Sequence, residues 1–210
     1  MVLVAPSLRK LRKLKRKETP KRKYTDTEAR VAEVLYSLQL THKTLKEHLP
    51  RFHINKVTEV AWERGKTKKE GLVIFYPLRF LMLVRRVQKT LTAELEKKFS
   101  GKIVLLVAQR TIKKRPTDVY KLQKVRRSMT STAVFENILT DMLYPADIVG
   151  RRTRFRADGS KVNKVFIDTK HRKRMEARLP LIEQVYKLLT HRSVAFSFMW
   201  NSKLQQVSNR

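Results

Sequence analysis

The densest group of side chains with binding chemistry is the run Arg151-Arg152-Thr153-Arg154-Phe155-Arg156. If this run is a β-strand, Arg152, Arg154 and Arg156 share one face at intervals of about 6.5 to 7 Å, which roughly matches the spacing of phosphates along a nucleic-acid strand. Arginine can also hold a phosphate through two parallel hydrogen bonds. A charged edge that only prevents aggregation needs fewer such residues. The run therefore predicts contact with a nucleic-acid backbone.

Three basic segments carry most of the charge of the chain. Its 210 residues have a formal net charge of +31. Residues 1–23 contribute +9, residues 110–127 contribute +7 and residues 150–178 contribute +8, whereas the other 140 residues contribute +7. Charge of this size weakens a compact state unless a polyanion lies nearby, and a solvated surface needs a net charge of no more than about 8. We therefore predict one extended anionic partner, RNA, that the chain contacts at several places.

The candidate RNA-binding residues are lysines and arginines of these three segments. In the N-terminal tail they are Arg9, Lys10, Arg12, Lys13, Lys15, Arg16, Lys17, Lys21, Arg22 and Lys23. In the middle segment they are Lys113, Lys114, Arg115, Lys121, Lys124, Arg126 and Arg127. In the third segment they are Arg151, Arg152, Arg154, Arg156, Lys161, Lys164, Arg172, Lys173 and Arg174.

The tail of residues 1–23 is open to more than one interpretation. Leu8, Leu11 and Leu14 lie three residues apart between lysines and arginines, so a basic amphipathic helix on a membrane or in a helix-binding groove is one option. A tail that threads between RNA helices is the second, and a solvated tail that serves as a nuclear import signal is the third. The two further basic segments favour RNA.

Sites for other chemistry are not indicated by the sequence. The absence of cysteine excludes disulfides, thiolate zinc sites and thiol catalysis, and the five histidines have no metal-ligand spacing. Gly65-Lys66-Thr67 resembles the end of a phosphate-binding loop, but Val60 stands where that motif needs glycine. No apolar run approaches the ~18 residues of a membrane span. We expect a soluble intracellular protein with no enzymatic activity, cofactor, metal, membrane partner or small-molecule substrate.

In the first half of the chain, apolar periodicity predicts a strand–helix–strand unit. Thr25 and Glu28 form a capping box before a helix, and a short helix at 44–49 and a strand at 54–62 follow. A lysine-rich connection between Gly65 and Gly71 leads to a strand at 72–76. A helix starts at Phe80 and ends at Gly101, and the next strand covers 103–107. The strands on either side of this helix should be parallel.

The second half predicts a helix through residues 134–142 that ends at Tyr144-Pro145, followed by a hairpin around residues 158–160. Gly159 should have a positive φ in a three-residue loop. Thr153, Phe155, Val165 and Ile167 should lie on one face, with Arg152, Arg154 and Arg156 on the opposite, solvent face. Phe155 should be a core anchor, and the alternative is a ring that stacks on a base. The spacing of Leu181, Ile182, Val185, Leu188 and Leu189 predicts a last helix, and a half-buried closing strand should alternate at Val194, Phe196 and Phe198.

The predicted architecture is a single α+β domain with a mixed β-sheet, a strand–helix–strand crossover unit, a basic β-hairpin and a basic N-terminal tail. We place the tail at residues 1–23, the domain at 24–200 and a C-terminal extension at 201–210. Within the domain, the basic loop covers 110–127 and the basic hairpin covers 150–168.

Several segments together resemble one family. They are Glu94–Lys102, Ala108–Arg110, Tyr144–Gly150, Arg156–Lys161 and Val185–Thr190. In this order they are similar to the eukaryotic small-subunit ribosomal protein number seven family, which is distinct from the bacterial protein of that number. The resemblance runs from about residue 25 to residue 200. The tail of residues 1–23 is more basic than is usual for that family, and residues 201–210 look like an extension.

The resemblance implies a function and a location. It implies a structural constituent of the cytosolic small subunit that binds ribosomal RNA, contacts neighbouring ribosomal proteins and takes part in subunit assembly and RNA maturation, with passage through the nucleolus. It implies no catalysis. Two alternatives remain on sequence grounds: a free nucleic-acid-binding protein of chromatin or RNA-chaperone type, and an enzyme that acts on RNA.

Overall fold

The computed structural model of the chain describes residues 24–64, 67–114, 117 and 126–198. It describes the side chains of all of these except 63, 64 and 67–69. These residues form six α-helices and six β-strands. The helices are α1 (Asp26–Thr41), α2 (Lys43–His48), α3 (Leu81–Lys98), α4 (Ser131–Leu143), α5 (Arg172–Glu176) and α6 (Leu179–Thr190). The strands are β1 (Lys56–Arg64), β2 (Thr67–Pro77), β3 (Lys102–Gln109), β4 (Ile148–Phe155), β5 (Lys161–Ile167) and β6 (Ser193–Phe198). The predicted α+β class is confirmed.

The first sheet has the order β1-β2-β3 and is mixed. β1 and β2 are antiparallel, with Lys56 opposite Phe75 and Arg64 opposite Thr67. β2 and β3 are parallel, as the strand–helix–strand pattern predicted, and α3 connects them. The strand that ends at Arg64 pairs with the strand that begins at Thr67, so no helix follows the Gly65-Lys66-Thr67 motif as a phosphate-binding loop would require.

Gly71 was predicted to end a polar connection, and that prediction was wrong. It lies inside β2, opposite Val60. A Cβ atom at this position would come within 2.5 Å of Leu181 Cδ2, a separation that Cβ contacts essentially never show. The missing side chain lets α6 pack directly on the strand. β2 starts at Thr67, four residues before Gly71.

The second sheet repeats the arrangement of the first. β4 and β5 form an antiparallel hairpin with an irregular register between Ile148 and Gly150. Helices α5 and α6 follow, and β6 then pairs with β5 in parallel. The order in each sheet is thus a hairpin whose second strand gains a parallel neighbour after a helical crossover. The prediction had placed these strands in one mixed sheet, whereas the structure has two.

Two apolar clusters hold the fold together, one on each face of the first sheet. The first cluster packs α1, α2 and α3 on Leu72, Ile74 and Tyr76 of β2. The second packs α4, α6 and the second sheet on Val73 and the opposite face of β3. β2 is therefore buried on both faces, which explains why residues 72–76 are continuously apolar.

The predicted helix ends are largely confirmed. Thr25 caps α1, and Glu28 completes the capping box through its side chain. Gly101 follows α3 with φ of 84°, and a cis peptide bond joins Tyr144 to Pro145 just after α4. The second helix ends at His48, and Pro50 lies inside the 3-10 turn Leu49–Arg51 that follows it.

The predicted last helix is confirmed as α6, although Leu188 and Leu189 of its apolar stripe are not core residues. They are 62% and 38% exposed, whereas Leu181, Ile182 and Val185 are buried. The apolar stripe of α6 runs on to Leu189, but there it reaches the end of the first sheet, where β2 and β3 stop and β1 begins. The two leucines border an apolar groove with a volume of ≈ 310 Å³.

Candidate nucleic-acid interface

The hairpin of β4 and β5 separates its side chains into two faces. Val165 pairs with Arg151, Asn163 pairs with Thr153, and Lys161 pairs with Phe155, so these pairs share one face. Lys164 pairs with Arg152, and Val162 pairs with Arg154, on the other face. The register separates Arg152 and Arg154 from Thr153, Phe155 and Val165, as predicted, whereas Arg156 lies in the turn beyond the ladder. All residues from Arg151 to Lys161 are exposed.

The turn at the hairpin tip is a three-residue loop with a left-handed glycine. The Arg156 N–H donates to the Ser160 carbonyl at 3.0 Å, and the Gly159 N–H donates to the Arg156 carbonyl at 3.0 Å. Gly159 has φ of 74°, as predicted, a conformation that costs glycine little and other residues more. This turn fixes the register that places Arg152 and Arg154 on one face.

Phe155 is exposed, and its predicted place in the core is wrong. The ring is 66% exposed, while Val165 on the same face is 1% exposed. Between them lies the pair Thr153 and Asn163, whose side chains form an exposed hydrogen bond of 3.2 Å. The second core therefore ends at Val165, and the hairpin extends four residue pairs beyond it into solvent, two of them on this face.

The arginine face of the hairpin is unneutralised. Arg152 lies 5.8 Å and Lys164 lies 5.5 Å from the centroid of the Phe166 ring. Within the described parts of the chain, no acidic side chain pairs with Arg152, Arg154, Arg156, Lys161 or Lys164. Their charges are thus available to an outside anion. The sequence analysis did not assign Phe166 to the arginine face. Its position between the buried Val165 and Ile167, which puts it out of phase with the core, was the available signal.

Arg151 differs from the other arginines of the run. It faces α4, where it forms an ion pair of 3.1 Å with Glu136 and a hydrogen bond of 3.2 Å to Thr140 Oγ1. Its side chain is 36% exposed. Arg151 therefore ties the hairpin to α4, and only part of its guanidinium remains for a ligand.

The hairpin and the root of the basic loop meet at the N-terminal end of α4. The Lys113 N–H donates to the Met129 carbonyl at 3.0 Å, so the two described ends of the loop are adjacent. Lys113, Lys114, Arg126 and Arg127 are all exposed there.

The strand β6 links this end of α4 to the hairpin. The Arg192 guanidinium lies 4.9 Å from the ring centroid of Phe135 in the second turn of α4. The next residue, Ser193, donates to the Lys161 carbonyl at 3.2 Å. The basic loop and the basic hairpin, which are separate in sequence, are therefore neighbours in the fold.

A third patch lies at the opposite end of the second sheet. Arg172, Lys173 and Arg174 are exposed on α5. Arg172 pairs with Glu176 at 2.7 Å and lies 5.6 Å from the Phe198 ring centroid. Hydrogen bonds from the backbone N–H groups of Lys170 and Thr169 hold the pKa of the Asp168 carboxyl below its usual value. The five residues of extended strand between this patch and the hairpin tip span about 17 Å.

Buried or partly buried carboxylates lie where the basic segments join the body. Asp141 is 3% exposed and pairs with Arg110, the first residue of the loop, and with Arg85 at 3.5 Å. Glu96 pairs with Arg178 at 2.5 Å, at the end of the third segment. Glu28, 1% exposed, accepts from the Val57 N–H at 3.3 Å beside the root of the tail.

The sequence analysis did not predict these contacts of acidic residues where the basic segments join the body. Burial lowers the pKa of Arg178, and Glu96 counteracts that effect. Burial also raises the pKa of Tyr76, which lies close to Asp141. The Asp141 and Glu96 ion pairs tie Arg110 and Arg178, at the ends of two basic segments, to the body of the fold. Breaking the Asp141 pair would leave a buried charge without compensation.

Some predicted residues lie outside the described part of the chain. They are the ten lysines and arginines of the tail, Arg115, Lys121 and Lys124 of the loop, and the extension 201–210. Among the described residues, no group of three or more histidines and acids could hold a metal ion. None of the described helices is long and apolar enough to cross a membrane.

Comparisons with known proteins agree on one family. Residues 15–198 match the family described as Ribosomal protein S7e. The chain is 38% identical over 174 residues to small ribosomal subunit protein eS7z of Arabidopsis thaliana, which covers 83% of this chain and 89% of the relative. It is 37% identical over 176 residues to small ribosomal subunit protein eS7 of Drosophila melanogaster, covering 82% of this chain and 88% of the relative.

A fungal relative shows the same extent of similarity. Small ribosomal subunit protein eS7B of Saccharomyces cerevisiae is 35% identical over 173 residues, which are 82% of this chain and 90% of the relative. The matched region includes both sheets and all six helices of the described fold. The resemblance seen in the sequence is thereby confirmed, and the chain belongs to the ribosomal protein S7e family.

Proposed function

We propose that this chain is a structural constituent of the eukaryotic cytosolic small ribosomal subunit, where it binds and stabilises ribosomal RNA. The relatives carry the name of a small-subunit protein. The observation that supports RNA binding most directly is the row of exposed, unneutralised cations on the hairpin, where Arg152, Arg154 and Lys164 share a face beyond the core. A polyanion is the partner that such a row requires.

The interface works by positioning rather than by reading bases. Arg152 and Arg154 contact successive phosphates, and Lys113, Lys114, Arg126 and Arg127 extend the contact around the end of α4. Because α4, Arg151 and the Asp141 pairs hold these segments in place, the cations are presented with little loss of conformational freedom. Arg172, Lys173 and Arg174 and the tail reach further parts of the RNA.

The same proposal includes roles beyond the mature subunit. A protein that binds ribosomal RNA through several sequence-distant segments holds RNA elements together while the subunit forms. We therefore include subunit assembly and RNA maturation, passage through the nucleolus, and contacts with neighbouring small-subunit proteins. No step of this function requires the chain to make or break a covalent bond.

Sedimentation tests the location. An epitope-tagged full-length chain, expressed in cells and resolved on a sucrose gradient, should migrate with small subunits and whole ribosomes. A tag that remains at the top of the gradient or fractionates with chromatin would instead support the alternative, a free nucleic-acid-binding protein.

Salt dependence tests the interface. If ten clustered cations contact phosphates, the affinity for deproteinised small-subunit RNA should fall with a log–log slope of about −7 to −9. A slope near about −2 would mean that most of the basic side chains remain solvated in the complex, and the proposed interface would be wrong.

A further inference from the structure

The exposed phenylalanine at the hairpin tip is the feature that backbone binding leaves unexplained. Phe155 is 66% exposed at the end of β4. Single exposed apolar residues are ordinary on protein surfaces, and Phe155 is set apart by its neighbours. Its cross-strand partner is Lys161, and the next pair on its face is Thr153 with Asn163.

Cations surround the ring. Lys161 Nζ lies 5.2 Å from the ring centroid, Arg154 precedes Phe155 in the chain, and Arg156 follows it. A purely apolar partner that covered the ring would also bury these unpaired charges, at high cost. A nucleic acid offers both a flat base for the ring and phosphates for the cations.

We propose that Phe155 stacks on an unpaired base of the RNA that the hairpin contacts. This inference rests on the proposed function, and it adds a ligand class to the phosphate contacts: a base exposed in a single-stranded loop or bulge. Arg154, Arg156 and Lys161 hold the phosphates on either side of that base, and the left-handed turn at Gly159 keeps the ring at the outermost pair of the ladder.

The test uses the full-length chain and deproteinised small-subunit RNA at fixed salt. Phe155→Ala should weaken binding by about 5- to 150-fold, Phe155→Leu should weaken it nearly as much, and Phe155→Tyr should bind like the parent. Val149→Ala is the matched control, because Val149 is an apolar residue of the same strand that is 56% exposed. The salt slope should be unchanged in every variant, since no cation is removed.

The outcomes separate this inference from the proposed function. If the parent chain shows neither affinity for the RNA nor a steep salt slope, the proposed function fails. If the parent binds but Phe155→Ala binds equally well, or Phe155→Leu fully replaces the ring, stacking is wrong. Normal RNA binding by Phe155→Ala, with its loss from small subunits on a gradient, would assign the ring to a protein contact instead. Thermal melts should be the same for all variants.

Discussion

The two sheets have the same order of elements but very different relations to water. In the first, β2 is buried on both faces between the two apolar clusters. In the second, β4 has no buried residue, and β5 has only Val165 and Ile167 buried. The comparison shows that a shared topology does not decide what a hairpin does. What a hairpin does depends instead on how far its strands extend beyond the core.

Burial also decides which residue types each hairpin can carry. A strand that is covered on both faces must be apolar throughout, because an unpaired charge there would be costly. β4 is held by its ladder hydrogen bonds to β5, by Ile148 at the second cluster and by the contacts of Arg151 with α4. Beyond these contacts it can present Arg152 and Arg154 to a ligand at little cost to the fold.

The same truncation in the two regions should show the largest difference. Phe52 is 1% exposed in the first cluster, so Phe52→Ala should lower the free energy of unfolding by about 3 to 5 kcal/mol. Phe155→Ala should change it by less than about 0.5 kcal/mol. Urea denaturation of both variants measures the pair, and equal losses would contradict the division between the buried first cluster and the exposed hairpin.

Adding a methyl group tests the same division with the opposite change in volume. Gly71→Ala forces a Cβ atom against Leu181, and overpacking of this kind should cost about 1 to 3 kcal/mol. Gly150→Ala in β4 is the matched control, because the nearest atom to its Cβ would be Phe166 Cδ2 at 3.7 Å. That variant should be neutral, or stabilised by up to about 1 kcal/mol through the unfolded state. A Gly71→Ala variant as stable as the parent would show that α6 is not tightly seated on β2.

The buried elements were the easier part to predict from sequence. Continuous apolar runs at 72–76 and 103–107, and the helical period after Phe80, depend on local rules that the core enforces along their whole length. The capping box at Thr25 and Glu28 is local as well, and it formed as predicted. The alternation in the hairpin likewise gave the correct face for Arg152 and Arg154, since a strand has a period of two.

The exposed ends could not be predicted because alternation does not say where a core stops. Phe155 has the phase of a core residue, and only its distance from Val165 shows that it lies in solvent. The polar pair Thr153 and Asn163 was the available signal, but recognising it requires the register. Leu188 and Leu189 show the same limit, since they continue the apolar stripe of α6 and yet are exposed where the sheet ends beneath them. Ion pairs such as Asp141 with Arg110 join residues 31 positions apart, and no local pattern marks them.

Neutralising the arginine row should separate binding from folding. In the triple variant Arg152→Gln, Arg154→Gln and Arg156→Gln, each change should alter stability by less than about 0.5 kcal/mol. The log–log salt slope for RNA binding should become shallower by about 2 to 3, because three phosphate contacts are lost. Filter binding at several salt concentrations measures the slope. A variant that melts early with an unchanged slope would show that the row supports the hairpin instead of the RNA.

The smallest effect should distinguish two adjacent arginines. Arg151→Gln removes the ion pair to Glu136 and should lower stability by about 0.2 to 1 kcal/mol, as is usual for partly exposed pairs. Arg152→Gln removes no ion pair of the described structure, so its stability should match the parent while its RNA affinity falls. Glu136→Gln should reproduce the stability loss of Arg151→Gln, and the double variant should add little to either, because both changes break the same contact. If Arg152→Gln were the destabilised variant, the face that turns toward α4 would have to be reassigned.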